Sequence, residues 1–350
     1  MISTARTRDV GVEELLLELL RIPSPSGCET VIAEFLERRL AKTFTVERQR
    51  VGTRWNLLAM NGTPRVLFTT HMDTVPGGPP VREDADAIYG RGACDAKGSI
   101  AAMVVAIERA AKDGLTDFGL LLDVGEEDDF CGVNEAVKFL RPEVVVLGEP
   151  TDGKAVIGQK GLLGVRIRCE GKSAHGSTPG LGVSAIDALM RMLVSLSSME
   201  LPYDIVLGKT TMNVGLVNGG SSANMVAQTA EATIEYRLTV PTREFEPMLR
   251  ERIASAELSG VKIDVETLYT FDPVRPSASA FLRELSFNAD IVPYFTELWF
   301  WSGARMAFVY GPGESKYAHT DEERILRREL RDAVEIYSSF LTRSARASTP

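Results

Sequence analysis

The sequence predicts an α/β protein in which a mainly parallel sheet, covered by helices, carries an inserted α+β domain. Apolar runs rich in β-branched residues end abruptly in polar residues, which is typical of buried parallel strands with chemistry at their carboxyl ends. Strand-like and helix-like runs also alternate to about residue 157, as in a parallel sheet covered by helices. Near Gly158 the pattern changes to strands that alternate apolar and polar residues, which indicates the insertion.

The elements of the main domain follow from this periodicity. Two amphipathic helices, Val12–Leu20 and Glu29–Leu40, are separated by the Pro- and Ser-rich stretch Pro23–Gly27. The predicted strands are the run from Arg65 to His71, Phe118–Val124, Val144–Leu147 and Met306–Tyr310. Further helices are predicted at Ser99–Ala111, Ala278–Phe287 and Asp321–Leu341.

The inserted segment has the order β-α-β-β-α-β, which is that of a ferredoxin-like unit. Its predicted elements are Val165–Glu170, Val183–Leu196, Thr211–Val217, Thr229–Val240, Phe245–Ala256 and Val261–Leu268. The chain afterwards returns to the first type of pattern. We therefore predict a catalytic domain formed by residues 1–158 and 269–350, with residues 159–268 inserted between its two parts.

Composition excludes several classes of function. The chain has 350 residues, 44% hydrophobic and 25% charged, which is ordinary for a globular protein of two domains. A formal net charge of −9 argues against a nucleic-acid or anionic-membrane partner. The four scattered cysteines predict reduced thiols and no thiolate metal site. No run is long enough to span a bilayer and no signal peptide is indicated, so we expect a cytoplasmic protein.

Histidine and acidic residues follow the predicted strands. They are His71 with Asp73, Asp95 in a Gly-rich loop, Glu126 with Glu127, Glu149, and His319. Because ligand sites of open α/β sheets lie at the carboxyl edge of the strands, we expect these side chains to converge there. Taken alone, His71 and Asp73 are equally well explained as incidental polar residues of a turn. Chance explains one such strand end easily and the whole set poorly.

Histidines and carboxylates without thiolates suit zinc, cobalt or manganese. Five ligands are too many for one catalytic zinc that keeps a position open. They suit a pair of ions about 3.5–4 Å apart that share a carboxylate and lower the pKa of a bridging water to roughly 7. Side chains of adjacent residues diverge on an extended backbone, so one of Glu126 and Glu127 can bind metal while the other acts as a general base.

Five segments of the chain resemble one enzyme family. They are His71–Gly77, Gly90–Gly98, Gly125–Glu127, Gly148–Thr151 and Ser173–Ser177. In this order, and over nearly the whole chain, they look like the co-catalytic zinc family that includes glutamate carboxypeptidase, aminoacylase, acetylornithine deacetylase and succinyl-diaminopimelate desuccinylase. The resemblance implies a dinuclear-zinc exopeptidase-like fold and a hydrolase that acts on linear amides.

The resemblance also implies a role for each residue at the predicted edge. His71 and Glu149 would hold one ion, Glu127 and His319 the other, and Asp95 would bridge the two. Asp73 would orient His71, and Glu126 would be the base for attack by a metal-bridging hydroxide. The family has a cis peptide after the bridging aspartate, here Asp95–Ala96.

For the inserted domain, the resemblance implies a lid and a dimerisation surface, so a homodimer is expected. His175 matches a family histidine that stabilises the tetrahedral oxyanion, often across the dimer. Asn224 and Arg237 resemble residues that grip a substrate carboxylate, and Asn213 is a weaker candidate. Two alternatives stay open: His175 as a solvated surface residue, and Arg237 as an outward-facing strand residue.

One subgroup of the family is most similar to the chain. It releases lysine or ornithine from the terminal glutamate of an amino-group carrier protein and is related to the acetyl-lysine deacetylases. The similarity lies in Val75–Gly77, Pro79–Arg82, Ala93–Gly98, and Gly311–Lys316 followed by His319–Thr320. The segment from Gly77 to Tyr89 is also short and lacks a Trp-containing insertion that is common in the desuccinylases. The predicted partner is therefore such a carrier protein, or else a small N-acyl amino acid as substrate.

Thr296–Gly303 departs from the family pattern, since a Gly-Thr-Ser-Asp-like segment usually stands there. We interpret Trp299–Trp301 as core or dimer contact. The alternative activities are those of an N-acetyl-lysine or N-acetylornithine deacetylase, a succinyl-diaminopimelate desuccinylase or a carboxypeptidase. A non-catalytic binding protein of the same fold is a remoter alternative.

Overall fold

The computed structural model describes residues 10–256, 258–276 and 289–346. These residues form two compact units. The first contains the chain up to Ile157, residues 289–290 and the chain from Phe300. The second contains Gly158–Pro276 and Ile291–Trp299.

The first unit is built on a mixed sheet with the strand order β1-β2-β6-β3-β7-β16, continued at one edge by β8 and β15. Strands β6, β3, β7 and β16 are mutually parallel, whereas β1 and β2 form an antiparallel hairpin that pairs antiparallel with β6. The strands are β1 Thr45–Val51, β2 Arg54–Asn61, β3 Val66–His71, β6 Phe118–Asp123, β7 Val144–Leu147, β8 Ala155–Gln159, β15 Ala289–Val292 and β16 Met306–Val309. The predicted sheet covered by helices is confirmed.

The described helices of this unit are α1 Val10–Leu20, α2 Thr30–Leu40, α3 Lys97–Lys112, α4 Cys131–Phe139 and α7 Arg327–Arg346. Helix α3 packs against α1 and α7, and apolar residues along almost its whole length are buried. The aromatic rings of Tyr337 and Phe340 on α7 pack against Phe68 of β3. This core packs against the strands whose carboxyl ends carry the polar residues.

A small sheet with the order β17-β5-β4 lies in the same unit. Its strands are β4 Arg82–Glu83, β5 Ala87–Tyr89 and β17 Arg324–Leu326. The sequence predicted a helix from Asp321, but α7 begins only at Arg327, because the preceding residues pair with β5 as a strand. The predicted helix Ala278–Phe287 lies outside the described residues.

The second unit is an antiparallel sheet with the order β12-β13-β9-β14, as in the predicted ferredoxin-like topology. Its strands are β9 Gly161–Glu170, β12 Thr211–Gly219, β13 Thr229–Leu238 and β14 Lys262–Phe271, with the short pair β10 Tyr203–Asp204 and β11 Gly208–Lys209. Helices α5 Ala185–Ser197 and α6 Thr242–Ser255 share one apolar core with the sheet. Burial alternates along β13, so its other face is accessible.

Trp301 is 3% exposed and belongs to an apolar cluster with Leu58, Leu67 and Leu121 of the first unit. The interpretation of this tryptophan as a core residue is confirmed. Trp299, in the second unit, packs edge-on against Phe271 with ring centroids 5.1 Å apart. Among the helices described, none is long and apolar enough to cross a membrane.

Candidate metal centre

His71 ends β3 at the carboxyl edge of the sheet, and its side chain is 1% exposed. Its Nε2 atom lies 3.2 Å from Oδ1 of Asp95 and 3.5 Å from Oε1 of Glu149. On the other side of the ring, Nδ1 lies 2.9 Å from the backbone oxygen of Asp73. A ring that donates its Nδ1–H to this oxygen leaves the Nε2 lone pair facing the two carboxylates, which is the tautomer that binds metal.

Asp95 lies in the loop between β5 and α3, and the Asp95–Ala96 peptide bond is cis, as expected. Its two carboxylate oxygens face different imidazoles, because Oδ2 lies 3.1 Å from Nε2 of His319 while Oδ1 faces His71. His319 Nε2 also lies 2.9 Å from Oε1 of Glu127. The five predicted ligands therefore form one connected cluster within the first unit.

Glycines allow the loops of this cluster to approach closely. Gly313 precedes His319 and has φ +102, and a Cβ atom built on it would lie 2.5 Å from Cβ of Cys94. Gly311, after β16, would place a Cβ atom 2.4 Å from the backbone oxygen of Glu149. A side chain at either position would push apart segments that carry predicted ligands.

Asp73 makes more contacts than the sequence suggested. Its carboxylate accepts backbone N–H groups from Gly125, Glu126 and Glu127 at 3.1–3.2 Å, and the hydroxyl of Ser26 at 2.7 Å. Burial alone would raise the pKa of Asp73, but its contacts with His71 and Ser26 and the backbone N–H of Glu127 lower it to about 2. The carboxylate lies 3.5 Å from His71 Nδ1, so the nearest Asp73 atom to the ring is the backbone oxygen.

Electrostatics mark the cluster as a cation site. Burial and the nearby carboxylates raise the pKa of Glu149 to about 8, although His71 opposes this. Burial and the same crowding raise the pKa of Glu126 well above its usual value. Conversely, hydrogen bonds to Asp95 and Glu127 raise the pKa of His319 to about 10. Each pKa shift arises because several carboxylates lie close together in a buried place with too few cations beside them.

The residues fit a pair of divalent ions. One atom each from His71, Asp95 and Glu127 lie within 4.8 Å of one another. Oε1 of Glu149 is buried and, although His71 Nε2 lies 3.5 Å away, it accepts no hydrogen bond of good geometry from the described residues. It is therefore available as a ligand. Imidazole and carboxylate donors without thiolates suit zinc, cobalt or manganese. Glu126 is partly buried next to this donor set.

The predicted residues of the insertion lie in the second unit. His175 is exposed, its Nδ1 atom lies 2.8 Å from Oγ of Ser177, and it forms an isolated β-bridge with Met225. Gly176 donates its N–H to the backbone oxygen of Asn224 at 2.7 Å, so the loops of His175 and Asn224 are adjacent.

The other two predicted substrate contacts lie on strands of that unit. Asn213 on β12 pairs with Glu235 on β13, and Arg237 is two residues further along β13. The guanidinium of Arg237 forms an ion pair with Glu235 at 2.8 Å. The positive charge of Arg237 is therefore paired with a neighbouring carboxylate in this structure.

One buried residue of the first unit was missed. Glu323 is 0% exposed and accepts N–H groups from the Asp95 loop. In the sequence it stands in the acidic run Asp321–Glu323, and nothing there separates the buried member from its solvated neighbours. The one sequence feature that could have drawn attention to Glu323 is its position, four residues after the predicted ligand His319.

Comparisons with known proteins identify the family of the chain. Residues 157–256 match the peptidase dimerisation domain of the M20 family. The chain is 32% identical to a peptidase M20 domain-containing protein of Schizosaccharomyces pombe, over 92% of this chain and 82% of the relative. It is 34% identical to a probable carboxypeptidase of Aspergillus flavus, over 93% and 88% of the two chains.

The fold has solved counterparts. A tripeptidase structure from Staphylococcus aureus superposes with a TM-score of 0.81 at 24% identity, covering 96% of this chain and 98% of that one. At this identity the likeness shows the fold. The two curated relatives show more, since they span most of both sequences: the chain belongs to the M20 peptidase family and is a hydrolase that acts on peptide-type bonds.

Proposed function

We propose that this protein is a two-metal exopeptidase-type hydrolase that releases an amino acid with a free carboxylate by cleaving the amide at its α-amino group. The observation that carries the proposal is the position of Asp95, whose two carboxylate oxygens face His71 and His319 separately. A carboxylate between two imidazoles suits a ligand shared by two ions, whereas a single-ion site needs no such bridge.

In this proposal His71 and Glu149 hold one ion, Glu127 and His319 hold the other, and Asp95 is shared. When bound, the two ions would supply Lewis acidity towards the scissile carbonyl and lower the pKa of a water molecule towards 7. Zinc suits this donor set best, and cobalt or manganese are acceptable. Both proposed ion sites use residues of the first unit alone.

Glu126 is the proposed general base. Its backbone is fixed by the N–H bond to Asp73, while Glu127 beside it faces His319. The Glu126 carboxylate takes a proton from the attacking water as the water oxygen bonds to the carbonyl carbon. The same carboxyl then gives that proton to the leaving nitrogen as the C–N bond breaks. Such proton transfer is typically worth about 10²–10⁴-fold in rate.

His175 is the proposed donor to the tetrahedral oxyanion, and the unit that carries it is the proposed lid and dimerisation domain. Its Nδ1 atom lies beside the Ser177 hydroxyl, and this leaves Nε2 available to donate. Arg237, Asn224 and Asn213 are the proposed contacts for the substrate carboxylate. For Arg237 this role requires exchange of the Glu235 ion pair for the substrate.

For the substrate, we propose lysine or ornithine joined through its α-amino group to the terminal glutamate of an amino-group carrier protein. The similar segments Pro79–Arg82 and Gly311–Lys316 support this. So does local charge, since Arg82 stacks on the Tyr89 ring at 3.4 Å and Arg324 on the Tyr317 ring at 4.1 Å. Both cations pair with Tyr89 in the small sheet, and Arg324 follows His319 by five positions. Cations at this place would suit an acidic partner.

A carboxypeptidase acting on short peptides is the second candidate. It is favoured by the names of relatives such as the probable carboxypeptidase of Aspergillus flavus. Both candidates release a carboxyl-terminal amino acid, so they share the proposed chemistry and differ only in the acyl side.

A hydrolysis panel tests the proposal. Chelated enzyme reloaded with zinc or cobalt is given carrier-linked lysine and ornithine, their N-acetyl forms, N-succinyl-diaminopimelate, and di- and tripeptides ending in lysine. We expect kcat/KM to be highest for the carrier-linked substrates and to vanish on chelation. Preference for free peptides would favour the carboxypeptidase, and absence of metal-dependent amide hydrolysis across the panel would refute the two-metal hydrolase.

A further inference from the structure

The buried carboxylate of Glu323 gathers the loop that carries Asp95. Its Oε1 atom accepts the backbone N–H of Gly92 at 2.9 Å and those of Cys94 and Asp95 at 3.3 Å. Oε2 accepts from the Arg91 guanidinium at 2.5 Å. One carboxylate therefore binds four of the five residues from Arg91 to Asp95.

The same residue belongs to the segment that carries His319. Glu323 follows His319 by four positions, and its backbone oxygen accepts the N–H of Gly90 at 3.2 Å. The next residue, Arg324, begins β17 and pairs with Tyr89 of β5. Glu323 thus joins, through both its backbone and its side chain, two segments whose ligands lie 3.1 Å apart.

A similar arrangement occurs at a second loop that carries a predicted ligand. There the carboxylate of Asp73 accepts the N–H groups of Gly125, Glu126 and Glu127. Each buried carboxylate gathers successive backbone N–H groups of one ligand-bearing loop. Carboxylates that accept several backbone N–H bonds form strong, directional contacts, because the acceptor is charged.

We propose that Glu323 is a positioning residue, which sets the distance between Asp95 and His319 and thereby the affinity for the metal pair. This inference rests on the proposed two-ion function. Residues that orient metal ligands from outside the coordination sphere typically change metal affinity by about 10–100-fold when mutated. Glu323→Gln is the most informative substitution. It keeps the shape of the side chain but replaces one carboxylate oxygen, which accepts N–H groups, with an NH2 group that cannot accept them.

The experiment is a titration of cobalt(II) into chelated protein, followed by visible absorption. Wild type is expected to bind two ions. In Glu323→Gln, at least one of the two binding steps is expected to weaken about 10–100-fold, with an altered d–d spectrum. The control is Leu36→Ala in α2, which changes a fully buried residue of the first unit's core. The two variants are compared at equal distance below their melting temperatures.

The outcomes are distinguishable. A wild type that binds fewer than two ions contradicts the proposed function itself. A wild type that binds two ions, with both constants and the spectrum unchanged in Glu323→Gln, overturns the role of Glu323 and leaves the function standing. If Leu36→Ala weakens metal binding equally, the effect is one of stability and the inference also fails.

A second measurement needs no variant. In metal-free wild type, hydrogen exchange should show the amides of Gly92, Cys94 and Asp95 protected by their bond to Glu323. Exchange of these three amides at the rate of an unstructured peptide would overturn the proposal, even if Glu323→Gln does not fold.

Discussion

Nε2 of His319 lies 2.9 Å from Oε1 of Glu127, although the two residues are 192 positions apart in the chain. The contact forms because the segments bearing these residues both lie at the carboxyl edge of the sheet, and glycines there leave room for close approach. It joins Glu127 and His319 as a pair of donors on the side of Asp95 away from His71. The predictions below test what each part of this edge contributes.

Glu126→Gln is expected to lower kcat by about 10²–10⁴-fold, because the amide cannot accept the proton of the attacking water. Metal content, measured by mass spectrometry, should stay at two ions per chain. Asp128→Asn is the matched control, since it makes the same change at an exposed position of the same loop. Activity retained in Glu126→Gln would remove this residue as the base.

His175→Ala is expected to lower kcat by about 10²–10³-fold through loss of an oxyanion donor. Both metal affinities should be unchanged, because His175 lies in the second unit and the proposed ligands lie in the first. Leu181→Ala, at an exposed position nearby in the chain, serves as a control for local damage. Unchanged kcat would favour the alternative of a solvated surface histidine.

Gly313→Ala is expected to weaken metal binding as well as stability. Its φ of +102 disfavours a side chain, and the new Cβ atom would meet Cβ of Cys94 at 2.5 Å, next to Asp95. Gly114→Ala is the matched control, since its φ is +79 but nothing lies within 4 Å of the added atom. The control should lose only about 1–2 kcal/mol of unfolding free energy, the cost of the left-handed backbone, and should keep its metal affinity. Equal metal affinity in both variants would refute the effect on the ligands.

Tyr337→Phe tests the core that supports the strand ends. The Tyr337 hydroxyl donates to the backbone oxygen of Tyr310 at 2.6 Å in a buried position. Its removal leaves that oxygen without this donor, so we expect a loss of about 1–3 kcal/mol in unfolding free energy by urea denaturation. A change below 0.5 kcal/mol, roughly the scale of surface substitutions, would show that the bond contributes little.

Much of the fold could be predicted because most of the buried helices and strands have a periodic pattern of apolar residues. Continuous apolar runs such as the one ending at His71 indicated buried parallel strands, and alternation over Val165–Glu170 indicated a half-exposed strand, which is the second half of β9. The start of α7 was misplaced because Arg324–Leu326 forms a strand only by pairing with β5, which is a tertiary effect. The hairpin of β1 and β2 was not predicted either, since β1 is mostly accessible and has little apolar pattern.

The site shows the same division. His71, Asp95 and His319 stood in motif-like surroundings, so the sequence could single them out. The backbone contacts of Asp73 and Glu323 could not be foreseen, because they depend on which N–H groups a folded loop turns inward. A buried glutamate and a solvated one have the same letter in the sequence, and only the three-dimensional structure separates Glu323 from Glu322.

Anomalous diffraction from crystals grown with zinc tests the central claim most directly. The account predicts two peaks about 3.5–4 Å apart, the usual separation in such pairs. One peak should be bound by His71 and Glu149, the other by Glu127 and His319, with a carboxylate oxygen of Asp95 on each. A single peak, or peaks bound without Asp95, would contradict it.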